Sequence, residues 1–79
     1  VFLMKSVNVL INTVDKVKSF VRDITKFENE FDLVSGKYVV NAKSIMGVFS
    51  LDIGKPICLN INTEDNAEEI LDVLATYIV

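Results

Sequence analysis

Apolar and polar residues alternate near the start of the chain and then change to helical spacing. Residues 6–11 (SVNVLI) alternate, which predicts a β-strand. Apolar residues then recur every three or four positions, which predicts an amphipathic helix over residues 14–27. The inward side chains predicted for these elements are Val7, Val9 and Ile11 of the strand and Val14, Val17, Phe20, Val21, Ile24 and Phe27 of the helix. Thr13 supplies an oxygen suited to capping the helix, and the helix dipole favours Asp15 in the first turn.

The middle of the chain has the pattern of a β-hairpin followed by a short helix. Residues 31–34 and 37–42 are predicted as two strands, and Gly36 between them supplies the positive φ that a tight turn needs. Residues 44–51 are too short for an independent helix, so they predict one or two helical turns with Ser44 as the cap. The side chains predicted to point into the core are Phe31, Leu33, Tyr38, Val40 and Ala42 of the hairpin and Val48 and Phe49 of the short helix.

The last part of the chain has the pattern of a strand followed by a helix. Residues 57–62 (ICLNIN) alternate, which predicts a fourth strand. Asp65 and Glu68 have the spacing of a capping box, which predicts that the last helix opens there. The apolar stripe expected of that helix consists of Ala67, Ile70, Leu71, Leu74, Tyr77 and Ile78.

The order of the seven elements, β-α-β-β-α-β-α, predicts an α+β fold. A chain of 79 residues is expected to form a single domain spanning residues 1–79. An antiparallel sheet with helices on one face is the economical way for these elements to share one core. The other face of the sheet is then expected to carry polar side chains such as Asn8, Asp32 and Asn60 in water.

The composition argues against most kinds of chemistry. The sequence contains no histidine, which removes the usual acid–base group at neutral pH and the commonest metal ligand. The single cysteine, Cys58, excludes an internal disulfide and a cysteine metal cluster, and its place in a strand predicts an inert thiol. We therefore expect neither catalysis nor a cofactor or metal ion.

Charge and hydropathy narrow the expected partners and location. The net charge is −3 and the lysines and arginines are dispersed along the chain, so no nucleic acid is expected as a partner. No apolar run approaches the roughly 20 residues of a membrane span. We therefore expect a cytoplasmic protein without a membrane segment.

The stretch NAKSIMGVFSLDIG, residues 41–54, together with the element order, resembles HPr, the small phosphocarrier of the bacterial sugar phosphotransferase system. Its most specific part is residues 43–48 (KSIMGV), and the resemblance runs from Val7 to about Ile78. It implies an open-faced β-sandwich in which three helices pack on one side of four antiparallel strands.

The active segment of the HPr family is His-Ala-Arg-Pro at the start of the first helix. Lys26 and Phe27 at the end of the helix keep the family's spacing, and counting back from them places this segment on Thr13, Val14, Asp15 and Lys16, where all four residues differ. A phosphothreonine would be a stable ester and a poor donor, and an acyl phosphate on Asp15 would lack the steadying arginine. The resemblance therefore implies a non-catalytic relative. A working phosphocarrier that uses Asp15 or Thr13 is the alternative.

Ser44 matches the serine that an ATP-dependent regulatory kinase, HPr kinase, phosphorylates in the Gram-positive branch of the family. The resemblance implies that the modified protein binds a catabolite-control regulator. It also implies that Ile45, Met46 and Gly47 belong to the surface that docks the kinase and the phosphotransferase components. A helix cap at Ser44 and core packing of Ile45 and Met46 are the simpler interpretations. A monomer is expected, and an oligomeric interaction module is a further alternative.

Overall fold

The computed structural model describes residues 3–63 and 65–79, and within them four strands and three helices follow the predicted order β-α-β-β-α-β-α. The elements are β1 (Leu3–Val9), α1 (Val14–Thr25), β2 (Phe31–Ser35), β3 (Tyr38–Asn41), α2 (Ile45–Phe49), β4 (Ile57–Thr63) and α3 (Ala67–Leu74). The predicted α+β architecture with a four-stranded antiparallel sheet is therefore confirmed.

The sheet has the strand order β1-β4-β2-β3, and every neighbouring pair is antiparallel. β4 lies between β1 and β2, so that Leu59 pairs with Val7 on one side and with Leu33 on the other. β2 and β3 form the predicted hairpin, and Gly36 in its turn has a φ of 61°, a conformation that glycine adopts without strain.

One face of the sheet and the inner faces of the helices form the hydrophobic core. Residues of β4 alternate between buried and half-buried along the whole strand, which is the pattern of a sheet covered on one side. The core side chains with no exposed surface include Leu33, Leu59 and Ile61 of the sheet, Val17, Phe20 and Ile24 of α1, and Ile70 and Leu74 of α3. Full burial of each leucine or isoleucine stabilises the fold by about 1.5–3 kcal/mol.

The opposite face of the sheet is open and mostly polar, as predicted. Asn8 is exposed, Asp32 and Asn60 are half-buried, and the Ser6 hydroxyl donates to Asn60 Oδ1 at 2.7 Å across the β1–β4 pair. Cys58 lies on this face half-buried, with its Sγ 3.6 Å from the same Asn60 oxygen. Its place in a strand agrees with the sequence prediction.

The first strand ends two residues earlier than predicted, at Val9 instead of Ile11. The N–H of Leu10 donates to the carbonyl of Tyr77 at 2.8 Å, and the N–H of Val79 donates to the carbonyl of Asn8 at 3.0 Å. After Val9 the chain no longer pairs with β4, and the residues on either side of Val9 bind the C-terminal residues 77–79. Ile11 is nevertheless fully buried.

Three apolar side chains predicted for the core are exposed instead. Tyr38 is 67% exposed, Val14 53% and Phe49 40%. Tyr38 follows the hairpin turn on an edge strand, and Val14 is the first residue of α1, so both lie beyond the limits of the core. The alternation and the helical spacing indicate which side of an element faces inward, but they do not show where the core ends.

The predicted capping box at Asp65 and Glu68 is wrong, because the residue that caps α3 is Asn66. The Asn66 side chain is bound elsewhere: its Nδ2 donates to Asn29 Oδ1 at 2.9 Å, and its Oδ1 accepts from the Thr63 hydroxyl at 2.7 Å. Asn29 also donates to the carbonyl of Asn62 at 2.9 Å. These bonds join the loop after α1 to the end of β4.

Candidate functional site

Ser44 is the N-cap of α2. Its backbone is extended, with φ −90° and ψ 107°, and its Oγ accepts a hydrogen bond from the N–H of Gly47 at 3.2 Å. Its carbonyl accepts the first helical bond, from the N–H of Val48 at 2.9 Å. The predicted cap is therefore present, and it orients the hydroxyl of an exposed residue.

The turn that precedes Ser44 is held at both ends. Asn41 Oδ1 accepts from the N–H of Lys43 at 2.9 Å, and the Asn41 carbonyl accepts from the N–H of Ser44 at 3.0 Å. The Lys43 ammonium donates to the carbonyl of Phe27 at 2.6 Å and lies 5.6 Å from the centre of the Phe31 ring. Ser44 therefore follows a turn whose Lys43 side chain contacts the loop after α1 and the first residue of β2.

The Ser44 hydroxyl is available for reaction. A serine hydroxyl has one proton and two lone pairs, and the bond from Gly47 uses one lone pair. The proton and the second lone pair are left for an incoming reagent. Ser44 is an exposed residue at the surface of the fold.

An exposed apolar surface lies directly beside Ser44. Met46 is 79% exposed, Phe49 40% and Ile45 37%, and we call these three residues the α2 patch. Ile45 and Met46 were expected on a partner surface, and neither is in the core. Phe49 also belongs to this surface, although the sequence pattern predicted it in the core. Gly47, which was expected with this surface, is half-buried and faces Ser44 and Val40.

The residues that match the family's active segment lie at the start of α1. Thr13 is the N-cap, with φ −133° and ψ 157°, and its Oγ1 accepts from the N–H of Lys16 at 3.1 Å. Val14, Asp15 and Lys16 are all exposed, and the Lys16 ammonium lies 3.4 Å from Asn12 Oδ1. The four residues Thr13, Val14, Asp15 and Lys16 therefore form an ordinary helix start, as the sequence predicted.

A shallow cavity of about 220 Å³ lies beside this helix start. Asp15, Lys16 and Ser19 of α1 line one side, and Thr76 and Tyr77 line the other. Among the residues that the structure describes, no group of three histidine, cysteine, aspartate or glutamate side chains is placed to hold a metal ion. The nucleophilic atoms at this helix start are the Thr13 hydroxyl and the Asp15 carboxylate.

Tyr77 lines the cavity and is bound to α1. Its ring packs edge-on against Phe20 with centroids 5.5 Å apart, and its hydroxyl donates to Asp23 Oδ2 at 3.0 Å. Burial of the phenol, and then the hydrogen bond to Asp23, raise the pKa of Tyr77 above its ordinary value. The neutral phenol is thus part of the attachment of the C-terminal segment to α1.

The two groups of candidate residues lie at the starts of two different helices. Thr13, Val14, Asp15 and Lys16 begin α1, and Ser44, Ile45, Met46 and Gly47 begin α2. α1 and α2 contact each other and belong to the same layer of the fold. Across residues 3–63 and 65–79, none of the helices has the length and apolar character needed to cross a membrane.

Similarity to known proteins covers most of the chain. The family model described as "PTS HPr component phosphorylation site" matches residues 14–79. The HPr-like protein Crh of Halalkalibacterium halodurans is 38% identical over 60 residues, which cover 75% of this chain and 71% of that protein. Ser44 and the α2 patch lie within the residues matched by the family model, and Thr13 lies immediately before them.

Solved structures of similar architecture are named as HPr or phosphocarrier proteins. The phosphocarrier protein HPr of Bacillus anthracis strain Ames superposes with a TM-score of 0.74 at 30% identity, covering 99% of this chain and 98% of that one. HPr-C-His from Thermoanaerobacter tengcongensis gives a TM-score of 0.66 at 24% identity, covering 96% and 88%. The histidine-containing phosphocarrier protein of a Mycoplasma gives 0.68 at 15% identity, covering 94% and 89%. The last two support the fold alone.

Proposed function

The chain belongs to the HPr family, the HPr component of the phosphotransferase system, and we propose that within this family it is a regulatory member that binds protein partners and does not carry phosphate. Phosphorylation of Ser44 switches this binding. The observation that carries the proposal is the exposed Ser44 hydroxyl beside the exposed α2 patch, in a sequence without histidine.

The loss of phosphate carrying follows from the residues at the start of α1. Transfer of phosphate onward depends on the labile P–N bond of a phosphoimidazole, and the sequence contains no imidazole. The Thr13 oxygen would form a stable ester and is already used as a helix cap. Asp15 lies where the family has the arginine that steadies phosphate, so the local charge repels the group. The fold is retained without the carrier chemistry.

Phosphorylation of Ser44 is a transfer from ATP. The Ser44 Oγ–P bond forms while the bond between the γ-phosphorus and the β,γ-bridging oxygen of ATP breaks. ADP leaves, and the hydroxyl proton passes to a base that the kinase supplies. The family's regulatory serine kinase is the proposed enzyme, and Ile45 and Met46 provide the apolar surface on which it docks.

The added phosphate changes the charge beside the α2 patch. It contributes about −1.5 to −2 at pH 7, which is large against a net charge of −3 for the whole chain. The nearest ammonium in sequence, that of Lys43, is already bound to the carbonyl of Phe27. We therefore expect the phosphate to remain open to a partner that presents arginine or lysine, such as a catabolite-control regulator.

An intact-mass assay with HPr kinase and ATP tests the proposal. We expect wild type to gain one phosphoryl group and Ser44→Ala to gain none. In a parallel reaction with enzyme I and phosphoenolpyruvate, we expect no transfer to wild type. Failure of the kinase reaction, under conditions that modify an ordinary HPr, would refute the switch. Phosphate on Thr13 or Asp15 in the second reaction would show a working phosphocarrier instead.

A further inference from the structure

Gly47 occupies a position in α2 where its backbone does not require glycine. Among the described residues Gly36 is the glycine with a positive φ, and Gly47 lies in the helix between Met46 and Val48. Glycine is the least favourable residue in a helix after proline. The presence of Gly47 therefore needs another reason.

The space around Gly47 supplies that reason. A Cβ atom at position 47 would lie 3.3 Å from Ser44 Oγ, 3.4 Å from Ser44 Cβ and 3.4 Å from Val40 Cβ. The first distance is tight enough that the Ser44 hydroxyl would have to move by a few tenths of an ångström. The missing side chain of Gly47 thus leaves room at the atom that the proposed function phosphorylates.

The cap bond alone does not explain this glycine. Thr13 makes the same kind of bond at the start of α1, where its Oγ1 accepts at 3.1 Å from the N–H of the residue three positions later. That residue is Lys16, which has a full side chain. A helix cap in this chain therefore tolerates a Cβ at the equivalent position.

We propose that Gly47 is a positioning residue for the modification of Ser44. This inference rests on the proposed function, because it has meaning only if Ser44 is phosphorylated. The N–H of Gly47 holds the hydroxyl in one orientation, and the missing Cβ leaves space for the phosphoryl group as it arrives and after it is bound. A phosphoryl group is much larger than a hydroxyl, so a displacement that the free serine tolerates obstructs the transfer.

The substitution Gly47→Ala separates this role from fold stability, because the two effects have opposite directions. Alanine is favoured over glycine in a helix, so the thermal midpoint is expected to stay the same or rise. With HPr kinase and ATP, we expect kcat to fall roughly tenfold or more, since misplacement of a reacting group by under 1 Å has effects of this size. KM is expected to stay close to wild type, because the α2 patch is intact.

Two further variants control for effects that do not involve the Ser44 oxygen. In Gly54→Ala the new Cβ meets only Asp52 Oδ1, at an ordinary 3.4 Å, so its phosphorylation should match wild type. In the double variant Val40→Gly, Gly47→Ala the Val40 Cβ that the new Cβ would meet at 3.4 Å is removed, and the contact with Ser44 stays. We expect this double variant to keep the low kcat.

Each outcome of these assays either supports or overturns the inference. If wild type is not phosphorylated, the proposed function fails and the role of Gly47 fails with it. If wild type is phosphorylated and Gly47→Ala reacts equally fast, only the positioning role is wrong. Recovery of kcat in the double variant, or a loss of kcat that parallels a lower thermal midpoint, would assign Gly47 to packing against β3 instead.

Discussion

The Lys43 ammonium donates to the carbonyl oxygen of Phe27 at 2.6 Å, and this bond joins the turn before Ser44 to the loop after α1. The same ammonium lies 5.6 Å from the centre of the Phe31 ring, which adds a cation–π contact to the first residue of β2. One side chain thus connects three parts of the fold, and Lys43 has a structural role next to the proposed regulatory serine.

We expect Lys43→Met to lower the free energy of unfolding by about 1.5–3 kcal/mol, because a charge-assisted bond is lost and a part-buried carbonyl is left without its donor. Urea unfolding monitored by circular dichroism measures the change. Lys37→Met, at an exposed position in the hairpin turn, is the matched control and should change the value by less than about 0.5 kcal/mol. Equal effects of the two substitutions would argue against a specific role for the Phe27 contact.

Tyr77 makes the stability depend on alkaline pH. Its pKa in the folded state is raised, first by burial and then by the hydrogen bond to Asp23, above the ordinary value of 10.0. Between the unfolded and folded pKa values, the unfolded chain has lost the proton that the folded chain keeps. The free energy of unfolding therefore falls as the pH rises above about 10, and the contribution is fully present below that pH.

We expect Tyr77→Phe to remove this part of the alkaline decline while keeping the ring against Phe20. At neutral pH the variant should be less stable by about 1 kcal/mol, since the bond to Asp23 is lost. Urea unfolding at several pH values from about 8 to about 11 measures both effects, with Tyr38→Phe at an exposed site as the control. If the free energy of unfolding falls with pH as steeply in Tyr77→Phe as in wild type, Tyr77 is not the group responsible for the decline.

The order of the elements and the caps of α1 and α2 were predictable because they depend on local sequence. Thr13 and Ser44 bind N–H groups three residues later, and Gly36 takes the positive φ of its turn. The cap of α3 was not predictable in this way. Asn66 holds the cap position without a side-chain cap bond, and its side chain bonds instead to Asn29, 37 residues away, a contact that exists only in the folded chain.

Parts of the candidate site also depend on long-range packing. Phe49 has helical spacing that suits the core, yet it is 40% exposed because α2 is short and ends at the rim of the fold. The bond from Lys43 to Phe27 spans 16 residues and has no local signal. The space beside Gly47 is bounded in part by Val40 of β3, which the sequence pattern alone does not place there.

Ser44→Ala is expected to lower the free energy of unfolding by about 1 kcal/mol, because the cap of α2 is lost. Ser44→Asp should be close to wild type in stability, since aspartate is an equally good cap. Urea unfolding of both variants tests the cap, because the carboxylate of Ser44→Asp can accept the bond from the N–H of Gly47 and the methyl group of Ser44→Ala cannot. A loss in Ser44→Asp as large as in Ser44→Ala would mean that the cap geometry does not hold for a charged group.

Met46→Lys is expected to weaken kinase docking without affecting the fold. Met46 is 79% exposed, so the change in unfolding free energy should stay within about 0.5 kcal/mol. Loss of an apolar anchor at an interface costs about 1–2 kcal/mol, which corresponds to a KM for the protein roughly tenfold higher. Val39→Lys is the matched control, because Val39 is 64% exposed on β3, outside the α2 patch. If both substitutions raise KM equally, docking is not confined to α2.

The double substitution Thr13→His, Asp15→Arg tests whether the acceptor group is what separates this chain from phosphate-carrying relatives. The fold and the start of α1 are present, so restoring the imidazole and the cation should allow transfer from enzyme I and phosphoenolpyruvate. We expect an acid-labile phosphoryl group on the variant and none on wild type, measured by intact mass before and after acid treatment. Histidine is a poorer cap than threonine, so a stability loss of about 1 kcal/mol should accompany the change.

Thr13→His alone is the control for the cap and should accept less phosphate, because Asp15 then faces the incoming group. An unreactive double variant would mean that residues beyond Thr13 and Asp15, such as those around the cavity at Tyr77, also prevent transfer.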